Sequence, residues 1–295
     1  MSRFLAPTFA VALAALLATA PARAAEPQPN CPSEAAMQAM AASLLSNAPV
    51  QPFPGRMTLA DGLCAQARLV PAMQAELGRV VGWKVGLTND AAQRRFGVPH
   101  PLAGPIYEAT VRARSGAELP ARFGAVPVVE ADLIVRVKDA GIATAGEDHV
   151  AILRHLDQVI PFIEMPDLAL ADLRQMDGPN LLAIGVGARL GVVGEAIPVQ
   201  ADAAFAERLG RMQVRFADDQ KELSNAPGSA LLGHPLNVIP WLVKDLAARG
   251  QALRPGDLIS LGGFSPALPA EPGRRYSVTY TGLLEQPVEV SVTLR

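Results

Sequence analysis

Residues 126–137 read VPVVEADLIVRV, and no other stretch constrains the fold as strongly. In an extended strand, side chains alternate between two faces. Val129, Ala131, Leu133, Val135 and Val137 then share one face, apolar throughout, which needs a core to cover it. Val128, Glu130, Asp132, Ile134 and Arg136 share the other. Two carboxylates thus stand two residues apart on one face, roughly 7 Å along the strand.

A third acid, Glu164, lies in the equally apolar stretch PFIEMPD. One reading makes the three acids solvated or salt-bridged surface groups. The other makes them ligands, because buried clustered acids repel one another unless a proton or cation balances them. A carboxylate set of this kind suits Mg²⁺ or Mn²⁺ better than Zn²⁺. Spacing leaves both readings open. Lys84, mid-strand in GWKVGLT, is similarly either a snorkelling surface lysine or a group that holds substrate charge or moves protons.

The 295 residues carry a net charge of −2 and no long basic run, so nothing suggests a nucleic-acid partner. Twenty-six prolines and 25 glycines imply many turns and short strands. The first 24 residues, MSRFLAPTFAVALAALLATAPARA, have Arg3, an apolar run from Phe4 to Ala20, and Ala22-Arg23-Ala24 before a polar segment. This is the pattern of a cleaved secretory signal. A retained membrane anchor fits less well, since the run is short and Pro7 interrupts it. An exported protein, periplasmic or secreted and free of the membrane after cleavage, is expected. In that oxidising setting Cys31 and Cys64 are expected to pair, with two buried thiols as the alternative.

Periodicity predicts a helix over 33–46 capped by Ser33 and a second over 58–77 that Pro71 divides or kinks. It also predicts a strand over 80–88 and a short helix closed by Gly97. EDHVAILRHLDQVI (147–160) reads as an amphipathic helix, with Val150, Leu153, Leu156 and Val159 on one stripe. GVGARLGVVG (185–194) reads as a glycine-rich strand, because its spacing is wrong for a dinucleotide loop. A further helix over 234–250 precedes strands at 257–264, 275–280 and 288–295, the last two as a hairpin. The mixture points to an α+β fold with a mixed or antiparallel sheet. The four histidines are dispersed, and Ser265 lacks the elbow of a serine hydrolase.

In order along the chain, GWKVGLT, FGVPHPLAGPIY, VVEADLIVRV, VIPFIEMPD, GPNLLAIGVGARLG and GHPLNVIPWLVKDLAARGQALRPGDLISLGG resemble the 2-keto-4-pentenoate hydratase family. That family lies within the fumarylacetoacetate hydrolase superfamily, beside the 4-oxalocrotonate decarboxylases. The resemblance implies an N-terminal helical region over 25–78 and a catalytic domain over 79–295, a mixed β-sandwich or roll around a divalent metal. It makes Glu130, Asp132 and Glu164 the ligands of Mg²⁺ or Mn²⁺, Lys84 the active-site lysine, and Asn180 a substrate-binding residue. It implies an enzyme of aromatic catabolism, hydrating a small 2-hydroxydienoate derived from a 2-oxo acid and assembled from identical chains. Decarboxylation or C–C hydrolysis through the same enolate is the alternative chemistry, and a non-catalytic exported binder of 2-oxo acids is the alternative class. Departures accompany the match. The second ligand is Asp132 where relatives usually have Glu, and Leu102 stands where hydratases carry an aspartate. Leu181 and Leu182 replace an alanine and a serine, and Leu261 lies near a relative's Ser or Thr.

Overall fold

The computed structural model describes residues 30–295, so the expected signal over 1–24 lies outside the described residues. Helices α1 (Glu34–Leu45) and α2 (Leu59–Leu77) open the chain. Ser33 caps α1 by accepting from the Ala36 N–H. Thr58 and Asp61 form a reciprocal capping box on α2, which runs unbroken through Pro71. A disulfide joins Cys31 to Cys64, tying the segment before α1 to α2. The apolar sides of both helices, including Met37, Leu44, Leu69 and Met73, bury against Leu102, Tyr107, Leu181 and Leu182 in a core of their own.

The next elements are β1 (Val80–Gly86), α3 (Asp90–Phe96), β2 (Leu102–Tyr107), β3 (Ala113–Arg114), β4 (Ala117–Leu119), β5 (Val128–Val137), α4 (His149–Arg154) and β6 (Leu156–Met165). They are followed by α5 (Gly178–Ala183), β7 (Leu190–Val193), β8 (Ile197–Pro198), α6 (Ala203–Arg211), β9 (Gln213–Asp218) and β10 (Glu222–Pro227). The chain closes with α7 (Val238–Ala248), β11 (Leu258–Ser260), β12 (Leu268–Pro269), β13 (Arg275–Thr281) and β14 (Val288–Leu294). One sheet runs β2-β1-β11-β5-β6-β7-β3, with β12 beside β5 and β8 beside β6; the second runs β10-β9-β13-β14-β4. Parallel pairs β1–β11, β3–β7 and β14–β4 sit among antiparallel ones, so both sheets are mixed. The apolar face of β5 packs into a core shared with Val278, Tyr280, Val290 and Val292 of the second sheet, as its alternation requires. Among the described residues, no helix is long and apolar enough to cross a membrane.

Two expectations change. The helix expected over 147–160 stops at Arg154, and strand β6 begins at Leu156. Val159 and Ile160 pair with Val135 and Ile134 of β5, so β-branched residues that mimic a helical stripe instead complete a central strand. In the glycine-rich segment, Gly185, Val186 and Gly187 form a tight turn with φ of 69°, 57° and 70°, and only Leu190 onward is strand.

Candidate active site

Antiparallel pairing of β5 with β6 sets Glu130 directly opposite Glu164. Parallel pairing of β1 with β11 sets Lys84 beside Ser260. Lys84 and Glu164 are almost wholly buried, and Lys84 Nζ lies 2.8 Å from Glu164 Oε1. The other oxygen, Glu164 Oε2, is buried without a hydrogen-bond partner. Asp132, fully buried, accepts at Oδ2 from the Ser260 hydroxyl at 2.6 Å and at Oδ1 from the Gly262 N–H at 3.1 Å. Behind it, the Tyr280 hydroxyl from the second sheet donates to the Asp132 carbonyl and accepts from the Phe162 N–H at 3.1 Å. One tyrosine therefore pins both acid-bearing strands.

The electrostatics follow from burial. Desolvation pushes the Glu130 carboxyl up to about 7, relieved in part by Lys84 and reinforced by Glu164. Burial likewise raises Asp132 well above the carboxylate range, with Glu164 adding to it and the Ser260 hydroxyl opposing it. Burial raises Glu164, and the Lys84 ammonium offsets part of that. On Lys84 burial works against charge, but Glu164, Glu130 and Asp132 together outweigh it and hold the ammonium above its ordinary value. Three acids face one base where water is scarce.

Lys84, Glu130 and Glu164 line a cleft of about 670 Å³, a volume suited to a small molecule. Much of its wall is apolar: Leu87, Phe96, Leu168, Leu181, Val186 and Phe264. Thr88 also lines it, and its hydroxyl is buried and unpartnered. Glycines make room at the inner end. A Cβ on Gly262 would come within 2.2 Å of Thr88 Oγ1, and one on Gly263 within 2.7 Å of Glu130 Oε2. Leu87 and Val186 hold φ of 60° and 57°, a conformation that bulky residues seldom keep except where the surroundings impose it.

A divalent cation matches this donor set chemically: hard carboxylate oxygens, an orphaned Glu164 Oε2, and a surplus of acid over base. The acids are not a ready-made cage. Among the described residues, no three His, Cys, Asp or Glu side chains are gathered as ion ligands are. Glu130 and Glu164 face the cleft, whereas Asp132 lies behind them, drawn to Ser260 and Gly262.

Other expected positions separate from this group. Asn180 sits in the first turn of α5, where its amide donates to the Gln175 carbonyl and to Asp177, and it is not part of the cleft wall. Leu102 belongs to the core under α1 and α2, while Leu181 reaches the cleft. Leu261 is core, and its neighbour Ser260 supplies the hydroxyl. Four residues of the site escaped the sequence reading. Thr88 ends the GWKVGLT stretch and Ser260 lies in the segment around Leu261, so both were within view; Arg95 lay in a stretch read only as a short helix closed by Gly97. Tyr280 gives no local signal at all.

No family model matches the chain. Among curated proteins it is 27% identical over 255 residues to a 2-keto-4-pentenoate hydratase of Paraburkholderia xenovorans, spanning 85% of this chain and 91% of that protein. It is also 27% identical over 227 residues to a 4-oxalocrotonate decarboxylase of Pseudomonas sp., spanning 77% and 83%. Among solved structures, the 4-oxalocrotonate decarboxylase from Pseudomonas putida G7, complexed with magnesium and adipate, superposes with a TM-score of 0.76 at 24% identity. That match covers 89% of this chain and 97% of the other. The fumarylpyruvate hydrolase from Pseudomonas aeruginosa, in complex with Mn²⁺ and pyruvate, reaches a TM-score of 0.52 at 19% identity, covering 72% and 89%. With sequence relatives of both kinds at 27% identity along most of its length, and the fold of the decarboxylase, the chain is similar to the 2-keto-4-pentenoate hydratases and 4-oxalocrotonate decarboxylases and diverges from both.

Proposed function

We propose that the protein is a divalent-metal-dependent lyase of small 2-oxo acids, with hydration of a short 2-hydroxydienoate as its leading reaction. One observation carries this reading: Glu130 and Glu164 face each other across β5 and β6, with Lys84 2.8 Å from Glu164, on the wall of a small-molecule cleft. The hydratase and decarboxylase names of its relatives support it, as do the magnesium, or Mn²⁺ with pyruvate, in structures of the same fold. Glu130 and Glu164 would hold Mg²⁺ or Mn²⁺, with Asp132 joining them once turned from Ser260 and Gly262. Such an ion supplies a Lewis acid for the carboxylate and 2-oxo oxygens of a substrate.

The chain's own groups divide the remaining work. Lys84, kept cationic by its acid neighbours, balances the negative charge that builds on the substrate as a proton shifts along the conjugated chain. Ser260 and Gly262 hold Asp132 in one orientation, and Tyr280 holds the strand beneath it. Leu87, Phe96, Leu168 and Phe264 enclose the carbon chain and limit bulk water, so that water adds where the cleft admits it. Decarboxylation would use the same charge-balancing lysine. A binder without turnover is the second reading, favoured by the apolar Leu181 and Val186 in the wall.

The test is a spectrophotometric assay of 2-hydroxypenta-2,4-dienoate and of 4-oxalocrotonate with Mg²⁺ or Mn²⁺, against chelator-treated protein and Glu164→Gln. Metal-dependent loss of either absorbance, abolished in Glu164→Gln, is the expected result. No turnover alongside metal-dependent oxalate binding establishes the binder, and no metal-dependent binding of oxalate overturns both readings.

A further inference from the structure

Two histidines outside the cleft meet each other. His149 opens α4, and His234 precedes the Pro235–Asn237 turn that leads into α7; their rings stack with centroids 3.8 Å apart. The partners of His234 fix its proton. Its Nε2 lies 2.9 Å from the Ala206 carbonyl, which only accepts, so Nε2 carries hydrogen. Its Nδ1 accepts from the Leu236 N–H at 3.1 Å, so Nδ1 carries none. Both bonds together require the neutral ring. His149 is under no such demand: its Nε2 lies 2.8 Å from Asn237 Oδ1, a bond that either the neutral or the charged ring can donate. Asn237 in turn donates from Nδ2 to the Leu232 carbonyl at 2.9 Å, and the Leu232 N–H donates to the Thr88 carbonyl at 3.0 Å. Thr88 and Ala230 belong to the cleft wall. The turn anchored in this way needs its anchors, since Leu232 sits at φ 48° beside Gly233 at 81°.

We infer that His149 and His234 form an acid-sensitive clamp on the cleft, which keeps residues 230–232 against Thr88 while His234 is neutral and releases them when His234 is protonated. A proton on Nδ1 sets one N–H against another, and Leu236 is wholly buried, so its amide is then left without a partner. A charge on His149 breaks none of its bonds, but it opposes a second charge one ring away on His234. Burial, with His149 adding to it and the Ala206 carbonyl opposing, holds His234 below the ordinary histidine value. The clamp is therefore at full strength above that ordinary value and is lost as pH falls through the lower, folded one. Charged groups on the surrounding helices are engaged elsewhere. Asp148 caps α4 and Asp202 caps α6, Glu207 pairs with Arg211 and Asp245 with Arg249, and Arg208 reaches the Leu283 carbonyl. Among the described residues none of these, nor Glu147, Arg154 or Lys244, bonds to either ring. The link to function rests on the reading of the cleft as the ligand site.

Hydrogen exchange of the full chain in chelator, corrected for intrinsic rates, reads the clamp without any ligand. Between about pH 7.5 and pH 5, protection of the Leu232 and Leu236 amides should fall by about tenfold per pH unit once His234 begins to charge, while strand β5 stays protected. His234→Asn keeps an acceptor oxygen for the Leu236 N–H and cannot charge, so its protection should stay level. His149→Gln keeps the donor to Asn237 and removes the neighbouring charge, so the loss should begin at higher pH. Level protection in the wild type, or an equal loss in His234→Asn, overturns the inference. Should His234→Asn not fold, an unmoved onset in His149→Gln overturns it instead. Oxalate titrated with Mn²⁺ then tests the link to the cleft. Acid protonates Glu130 in both proteins, so the wild type should lose severalfold more affinity than His234→Asn over the same range, and equal losses overturn that link. Absence of oxalate binding at either pH overturns the ligand-site reading and leaves exchange to judge the clamp.

Discussion

Removing the lone base from the acid cluster should destabilise the metal-free protein in a way that depends on pH. Lys84→Met keeps the length and most of the volume of the side chain and deletes the ammonium 2.8 Å from Glu164 Oε1. Near pH 8, above the Glu130 value, that carboxylate is ionised and the cluster loses the ammonium beside it, which for a broken buried pair costs about 3–5 kcal/mol. A carboxyl whose folded pKa lies above its unfolded value holds its proton more tightly in the folded state, so stability falls as pH rises between the two. For Glu130 that window runs from 4.5 to about 7, and the full effect is about 3 kcal/mol opposing folding once it has ionised. Asp132 and Glu164 are raised as well and act with the same sign. Near pH 5 Glu130 retains its proton, so less negative charge faces the ammonium and its burial is less well repaid. Lys84→Met should therefore be close to neutral there. Urea unfolding in chelator at pH 5 and pH 8 measures the difference. Saturating Mn²⁺ should recover much of the pH 8 loss, by about 2.7 kcal/mol at a hundred times its dissociation constant. A difference between wild type and variant that stays constant from pH 5 to pH 8 would refute the electrostatic account of the site.

Two further outcomes are expected. Replacing Cys31 and Cys64 with serine opens a link across a separation of 33 residues and should lower stability by about 3–4 kcal/mol in the chain-entropy model, read as a lower urea midpoint that reductant reproduces in the wild type; an unchanged midpoint would refute it. Leu102→Asp puts a carboxylate into the core beneath α1 and α2, so it should drop the melting temperature sharply without raising dienoate turnover, and a variant that melts like wild type would contradict that placement.

The strand carrying Glu130 and Asp132 was legible because alternation is a local property: its apolar face is the one the core receives. The helix cap at Ser33 was legible for the same reason. The end of α4 was not. Val150, Leu153, Leu156 and Val159 fit a helical stripe, and only pairing with β5, a contact between distant residues, converts the second half to strand. At the site, Lys84, Glu130 and Glu164 come together as the ordered stretches imply, whereas Asn180 is spent on the loop before its own helix. Residue type at a matched position carries no information about where a side chain turns. Tyr280 was illegible in principle, since it acts on Asp132 across 148 residues of sequence from the opposite sheet.

The direct opposition of Glu130 and Glu164 has a consequence for how the chain finds its structure. Strand pairing is a choice among registers, and a slip of one residue between β5 and β6 would send one acid to the opposite face of the sheet. A slip of two would leave both on the correct face but about 7 Å out of step. Either error separates the carboxylates that a cation would bridge. An ion that binds only the aligned pair would act as a proofreader of β-sheet alignment: it disfavours the two-residue slip, which leaves the apolar faces where they were. Folding in the presence of metal would then be more uniform as well as more stable, with misaligned chains left as the fraction that chelator-resistant binding never captures.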